Sequence, residues 1–269
     1  MLEACIRQGA LLKRVFDAIK EMVPEVNLEC TPSGIQLQAM DNSHVSLVSL
    51  DLKEQAFETY QCDRSRSLGL NMVAVSKMFK HCGNDDAVII RHIDDQDKIS
   101  FVFEATTEDR VSDFDLKLMN IEQEHLSVPD SEFPAKITLP SKQFQRICSD
   151  LGQFSDSLTI EASHKLVKFS ASGDIVGGNI TLRPRESTEE RVEIETESPQ
   201  YKVQLSFAVR YLNYFSKAAP LASHVQLKLA DNLPLEVTFY LNDNTNVGRL
   251  RFYLAPKMEE ESESQNAAS

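Results

Sequence analysis

The stretch NMVAVSKMFKHC, residues 71–82, holds two lysines, Lys77 and Lys80, one histidine and no acidic residue. It belongs to a chain of 269 residues in which 41 Asp and Glu outnumber 28 Lys and Arg, for a net charge of −13. On a helical wheel Met72, Val75, Met78, Phe79 and Cys82 share one face, with Lys77 and Lys80 opposite. The stretch therefore predicts a short amphipathic helix, apolar toward a core and basic on its other side. It follows directly on SLGL, a strand-like run. The same strand-into-helix junction occurs three more times, as LEACI into RQGALLKRVFDAIKEMV, KITL into PSKQFQRICSDLG, and VQLSF into AVRYLNYFSKA. Self-similarity of this kind is the first thing a fold assignment has to respect.

Runs with a period of two follow each predicted helix. They are GIQLQAM and HVSLVSLDL after the first; AVIIRHI, KISFVFEA and VSDFDLKLM after the second; SLTIEA, LVKFSAS and GGNITLRP after the third; and HVQLKLA, LEVTFYL and GRLRFYLAP after the fourth. Turn signals separate them, among them Pro32-Ser33-Gly34, Gly83-Asn84-Asp85-Asp86, Gly173-Asp174 and Asp231-Asn232. The pattern predicts an α+β chain of four β-α-β-β-β modules, two per similar domain, at 1–117 and 136–256. Between them, 118–135 reads as a connecting linker. Its neighbourhood NIEQEHLSVPDSEFPAK has four acids, two prolines and no sustained period. Residues 257–269 read as an acidic tail without enough apolar residues to fold.

All four helices repeat the charge pattern. In the first, Lys13, Arg14 and Lys20 lie away from Leu11, Leu12, Val15, Ile19 and Met22. In the third, Lys142 and Arg146 oppose Phe144, Ile147, Cys148 and Leu151. In the fourth, Arg210 and Lys217 oppose Ala208, Tyr211, Leu212 and Phe215. The four windows contain ten basic and three acidic residues inside an otherwise acidic chain. A single such helix needs no more than solvation to explain it. Four related by rotation would present their basic faces together and attract a polyanion, while the acidic remainder repels it elsewhere.

Other classes find little support. No apolar run is long enough to span a bilayer, and the first residues lack the basic and apolar regions of a signal peptide. The expectation is a soluble intracellular protein with no membrane partner. Five cysteines without a C-x-x-C pair read as reduced, buried thiols. No Walker A loop, nucleophile elbow or Gly-rich dinucleotide turn is present, so neither an enzyme nor a cofactor is expected. Asp85-Asp86 reads as a turn rather than a metal site, and Asp41-Asn42-Ser43-His44 as a turn rather than an acid–base cluster. Aromatic residues do not interleave with the basic ones as single-strand stacking would require, which favours a duplex backbone as the polyanion.

The stretches QAMDNSHVSLVSLDL, YQCDRSRSLGLN, RVSDFDLKLM, FSASGDIVGGNI, FAVRYLNYFSKAAPL and LRFYLAPK, in this order, resemble those of eukaryotic proliferating cell nuclear antigen (PCNA), the sliding DNA clamp. The resemblance covers essentially positions 1–258. It implies the DNA-clamp fold: a homotrimeric ring with antiparallel sheets outside and helices lining a hole through which double-stranded DNA passes. It further implies a nuclear processivity factor, without catalysis, opened and closed by the clamp loader replication factor C. DNA polymerase delta, flap endonuclease, DNA ligase and other proteins bearing a PCNA-interacting peptide are the implied partners. The alternative is a clamp paralogue specialised for DNA-damage signalling.

By the same resemblance, Lys13, Arg14, Lys20, Lys77, Lys80, Lys142, Arg146, Arg210 and Lys217 face DNA. The partner pocket draws on Met40, His44, Val45, Leu47, Leu126, Val128, Pro129, Pro234, Tyr253, Ala255 and Pro256. The subunit interface draws on Arg110, Phe114, Leu116, Leu151, Gly177, Gly178, Ile180 and Leu182. The lysine that many family members modify with ubiquitin or SUMO, in damage tolerance and translesion synthesis, is matched by His164. The adjacent Lys165 is then the substitute acceptor. The sequence departs from the family at Ser149 and Gln153, where basic residues are common, at Phe133, where Tyr is common, and in a longer segment before the last strand.

Overall fold

The computed structural model describes residues 1–107, 109–122, 132–186 and 190–258. The first half runs β1 (Leu2–Ile6), α1 (Gly9–Ile19), β2 (Glu25–Thr31), β3 (Gly34–Met40), β4 (Ser46–Lys53), β5 (Thr59–Cys62), β6 (Arg66–Asn71), α2 (Met72–Phe79), β7 (Ala87–His92), β8 (Lys98–Glu104) and β9 (Val111–Lys117). The second runs β10 (Ala135–Pro140), α3 (Ser141–Leu151), β11 (Ser157–Ser163), β12 (Leu166–Ser172), β13 (Gly177–Leu182), β14 (Glu193–Thr196), β15 (Lys202–Ala208), α4 (Val209–Ser216), β16 (His224–Leu229), β17 (Leu235–Tyr240) and β18 (Gly248–Leu254).

Each module is a strand, a helix and a three-stranded meander, as the sequence predicts. Within a half, the two modules exchange their first strands. β1 pairs with β7 of the second meander, and β6 pairs with β2 of the first. In the second half β10 pairs with β16, and β15 with β11. This exchange locks two modules into one domain, because neither meander is complete without the other's strand.

Three antiparallel sheets result. The orders are β5-β1-β7-β8-β9, β13-β12-β11-β15 and, spanning both halves, β14-β10-β16-β17-β18-β4-β3-β2-β6. The nine-stranded sheet exists because β18 pairs with β4, from Gly248 opposite Leu52 to Leu254 opposite Ser46. Three strands went unread in the sequence. β5 and β14 are four residues long and lie at sheet edges, too short to show a period. β2, EVNLECT, is interrupted by Asn27 and Glu29, and its alternation is weak. β10 also begins at Ala135, inside the stretch read as linker; Ala135 is fully buried.

One hydrophobic core runs through both halves. In α1 the buried residues include Leu11, Leu12, Val15, Phe16 and Ile19; in α2 they are Met72, Val75, Met78 and Phe79. Phe79 makes edge contacts with Phe16, Phe101 and Phe103, at 5.1, 5.7 and 5.2 Å between ring centroids. In the second half Phe215 of α4 stacks on Phe252 of β18 at 4.6 Å. Asn71 caps α2, its side-chain oxygen accepting from the Ala74 N–H at 3.0 Å. The helices form a row in which α1 packs against α2 and α4, and α4 against α3.

The five thiols are free. Burial, with a smaller contribution from Cys62, pushes Cys30 up to about 12, and burial pushes Cys82 up to about 11, so both stay protonated and inert. No helix among the described residues is long and apolar enough to cross a membrane.

Gly248 opens the strand that joins the halves. Its φ is 143°, and a Cβ there would sit 2.0 Å from the Asp51 carbonyl oxygen. A side chain would strain the backbone and collide with the facing strand at once. Gly248→Ala is expected to cost roughly 1–3 kcal/mol, seen as a lower thermal midpoint. An unchanged midpoint would mean that the joining ladder tolerates displacement.

Candidate nucleic-acid and protein interfaces

The basic residues of the helix row lie on the side away from the core. Arg14, Lys77, Lys80, Lys142, Arg146 and Arg210 are exposed; Lys13, Lys20 and Lys217 are half-buried. Several also brace the row. Lys20 Nζ donates to Asp17 at 2.6 Å and reaches Ser76 Oγ on α2 at 3.3 Å. Lys217, at the end of α4, pairs with Glu21 after α1. Lys13 donates to the Cys82 carbonyl at 3.0 Å, and Arg14 to the Pro220 carbonyl at 3.4 Å. Arg210 lies over the Tyr211 ring at 5.0 Å. Lys77, Lys80 and Lys142 have no such partner among the described residues, so their charges are the most available to a ligand. The surface is a broad basic wall, suited to a phosphate backbone.

A concavity of about 350 Å³ lies in the first half, beside the joint with the second, lined by Met40, Asp41, His44, Leu47, Pro24 and Ile121 among others. Asp41 builds it. One carboxylate oxygen accepts from the backbone N–H groups of Val45 and Ser46, at 2.9 and 2.7 Å, and from Ser46 Oγ at 3.1 Å. The other accepts from the Ser43 N–H at 2.9 Å and from the Tyr211 hydroxyl at 2.8 Å. The turn ends with His44 in the left-handed region, φ 56°, its side chain exposed. Beyond β18 the Ala255 N–H donates to the Val45 carbonyl at 3.1 Å. Met40, Val45, Leu47, Tyr253, Ala255 and Pro256 thus gather at this junction, and Pro234 is exposed on the turn before β17. Ile121, where the connection leaves β9, is fixed by Asn27, whose side-chain amide donates to its carbonyl at 3.0 Å. Leu126, Val128 and Pro129 lie outside the described residues.

Six of the eight residues assigned to the subunit interface fall on two strands that end their sheets, β9 and β13; Arg110 immediately precedes β9, and Leu151 ends α3. Phe114 is half-buried, stacked on His81 at 5.3 Å and near Phe103 at 5.6 Å. Leu116, Ile180 and Leu182 are half-buried; Gly177 is exposed and Gly178 half-buried. Arg110 pairs with Asp86 at 2.7 Å. Leu151 is already buried beneath Gly178, within its own chain. Val111, Ile175 and Val176, on the stretches 111–118 and 175–183 that the resemblance gives as the partner edges, are 63%, 97% and 50% exposed. Lys165 and His164 are exposed in the turn between β11 and β12. Among the described residues no cluster of His, Cys, Asp or Glu is placed to hold a metal ion.

The Tyr211–Asp41 bond joins α4 of the wall to the loop of the concavity, across 170 positions of chain. Burial alone would raise the Asp41 carboxyl, but hydrogen bonds from Ser46, Tyr211, Ser43 and Val45 outweigh it and hold the carboxyl below its ordinary value. Its stabilising effect is therefore complete above the ordinary aspartate value of about 3.9 and fades as pH falls through the depressed value. Asp41→Asn should lower the urea midpoint at pH 7, and the gap to wild type should narrow by pH 3. A gap that does not change with pH would refute a charge-dependent role for Asp41.

Residues 1–125 match the family described as proliferating cell nuclear antigen, N-terminal domain. Residues 127–257 match its C-terminal domain. The two matches meet between the described halves, and the antiparallel sheets with four helices are consistent with the clamp fold. The chain belongs to the proliferating cell nuclear antigen family, the sliding DNA clamps.

Proposed function

We propose that the chain is the subunit of a homotrimeric nuclear ring that encircles duplex DNA, serving as processivity factor for a replicative polymerase and as a docking platform for replication and repair proteins. The observation that carries this reading is an unused copy of a joint the chain already makes. β4 and β18 close the two meanders that meet within the chain. β9 and β13 hold the corresponding places in the other two meanders, and both are left at sheet ends.

The hairpin registers relate the two pairs. β4 pairs with β3 from Leu47 opposite Met40 to Lys53 opposite Gly34, and β9 pairs with β8 from Val111 opposite Glu104 to Lys117 opposite Lys98. Leu47 thus corresponds to Val111. Likewise Arg249 corresponds to Gly177, and Leu254 to Leu182, through the β17–β18 and β12–β13 hairpins. Transferring the β4–β18 register sets Phe114 opposite Gly178 of the next subunit, an aromatic ring over a residue without a side chain. Such a heterologous joint closes into a ring when its rotation permits. Three subunits is the number that the resemblance to proliferating cell nuclear antigen implies.

In that ring the basic wall faces the hole. Topology retains the DNA, so individual phosphate contacts need only be weak and nonspecific, which lets the ring slide. The concavity beside Asp41 offers apolar side chains to a short peptide, and tethering a polymerase there raises its effective concentration at the primer end.

Two measurements test the proposal. Sedimentation at low micromolar concentration should give the mass of a trimer from this chain alone, whereas a paralogue needing other subunits would not. Gly178→Ser should shift the mass toward monomer without unfolding, because a Cβ there meets only side-chain atoms, at 3.6 Å or more. Protein loaded on nicked circular DNA should be retained until the circle is linearised and then slide off. Reversing Lys20, Lys77, Arg146 and Lys217 together to Glu should reduce loading. Retention after linearisation would rule out topological binding.

A further inference from the structure

A groove of about 680 Å³ runs between α3 and the far end of β13, lined by Lys142, Gln143, Arg146, Leu182, Arg183 and Arg185 among others. Arg146 is engaged by Asp150 at 3.3 Å, and Arg185 by Glu190. Arg183 and Lys142 are exposed and hold no partner among the described residues. Only Lys142 and Arg146 belong to the basic wall; the arginines of the β13 end are a separate accumulation of positive charge in an acidic chain.

The joint between the two halves of the chain identifies what lies against this charge. Just past the β4–β18 ladder, the Ala255 N–H donates to the Val45 carbonyl. By the correspondence of strands derived above, Val45 is matched by Asp109 and Ala255 by Arg183. The internal joint thus has two small apolar residues where the external one has an acid and a base. Directly opposed residues of antiparallel strands project to the same face. Val45 and Ala255 are both exposed, so the Asp109 and Arg183 side chains would meet in solvent at the rim of the seam.

Asp109 is prepared for this contact. Thr107 Oγ1 donates to Asp109 Oδ1, and Oδ2 has no partner among the described residues. The neighbouring Arg110, the nearest competing cation in sequence, is committed to Asp86. We infer that Arg183 of one subunit and Asp109 of the next form an ion pair at one end of every seam, with Lys142 strengthening the field around it, so that closure of the ring depends on ionic strength. The occupant of the groove rim is a second copy of this chain, and the inference rests on the ring reading above. The pair is exposed and its individual strength small, but it recurs at every seam and opposes any register in which acid meets acid.

A charge exchange tests it by sedimentation of the full-length chain over a dilution series. Arg183→Glu and Asp109→Arg should each weaken the seam at low salt, raising its dissociation constant roughly two- to fivefold. The double variant Arg183→Glu/Asp109→Arg should return to the wild-type value. The differences should collapse near 1 M salt, where screening acts within about 3 Å. Trimers unaffected by either single change, or single-variant losses that the exchange fails to repair, would overturn the ion pair while leaving the ring intact. If Arg183→Glu lowers affinity for duplex DNA and leaves assembly unchanged, the groove serves phosphates and the inference is wrong. A wild-type chain that never leaves the monomer would instead remove the ring reading itself.

Discussion

The pairing of β18 with β4 is the constraint on which the rest of this molecule depends. Without it the two halves would be separate strand-exchanged domains joined by a linker. With it, two meanders merge into a nine-stranded sheet, and the helices of both halves are brought to one side as a row. Backbone hydrogen bonds set the angle between domains, and such bonds have little room to adjust. Gly248 permits the close approach at one end of the ladder, and the Ala255–Val45 bond extends it at the other. Phe215 stacked on Phe252 anchors α4 to this same strand, so the wall and the joint are one rigid unit.

The electrostatics of the wall follow from that arrangement. The whole chain is strongly acidic, and a solvated protein of this charge would repel nucleic acid. Basic residues on one rigid row change the outcome locally while the outer surface stays repulsive. Part of the positive charge is spent internally, since Lys20 and Lys217 hold acids of α1 or the turn after it. These partly exposed pairs contribute little to stability but limit how tightly any one phosphate is held. A surface of this kind binds through many weak contacts, which suits motion along DNA better than a few strong ones would.

The sequence made the helices and most meander strands legible because both rest on short-range periodicity. Met72, Val75, Met78 and Phe79 reveal a helix face wherever it packs, and GRLRFYL reveals a strand by its alternation. The exchange of β1 and β6 between meanders was not legible, since no local pattern distinguishes a strand that pairs with its own module from one that pairs with the next. The same limit hid the Asp41–Tyr211 bond. DNSH read as an ordinary turn, and only the fold shows that its carboxylate receives a hydroxyl from a helix in the other half. The basic faces were visible on each helix separately, whereas their assembly into one wall needed the β18–β4 ladder. Arg183 stood out from neither period nor motif, because the acid it would meet belongs to another copy of the chain.

Comparing the joints suggests how a ring of such chains would divide its labour. The internal joint has a covalent connection between its partners, so its ladder is closed at an effective concentration set by chain length. It also has the buried Tyr211–Asp41 bond and the Phe215–Phe252 stack behind it. An external joint between β9 and β13 would have equivalent backbone pairing but no covalent tether, and its assembly would depend on protein concentration. Tyr211 corresponds in the third module to Gln143, and Asp41 in the second to Ala105, so the buried hydroxyl–carboxylate bond has no like-for-like copy at the external joint. The two joints would thus share a geometry and differ in strength, with the weaker placed between subunits. A ring that must admit DNA requires that order: the seam that opens should part well before the domains inside a subunit do.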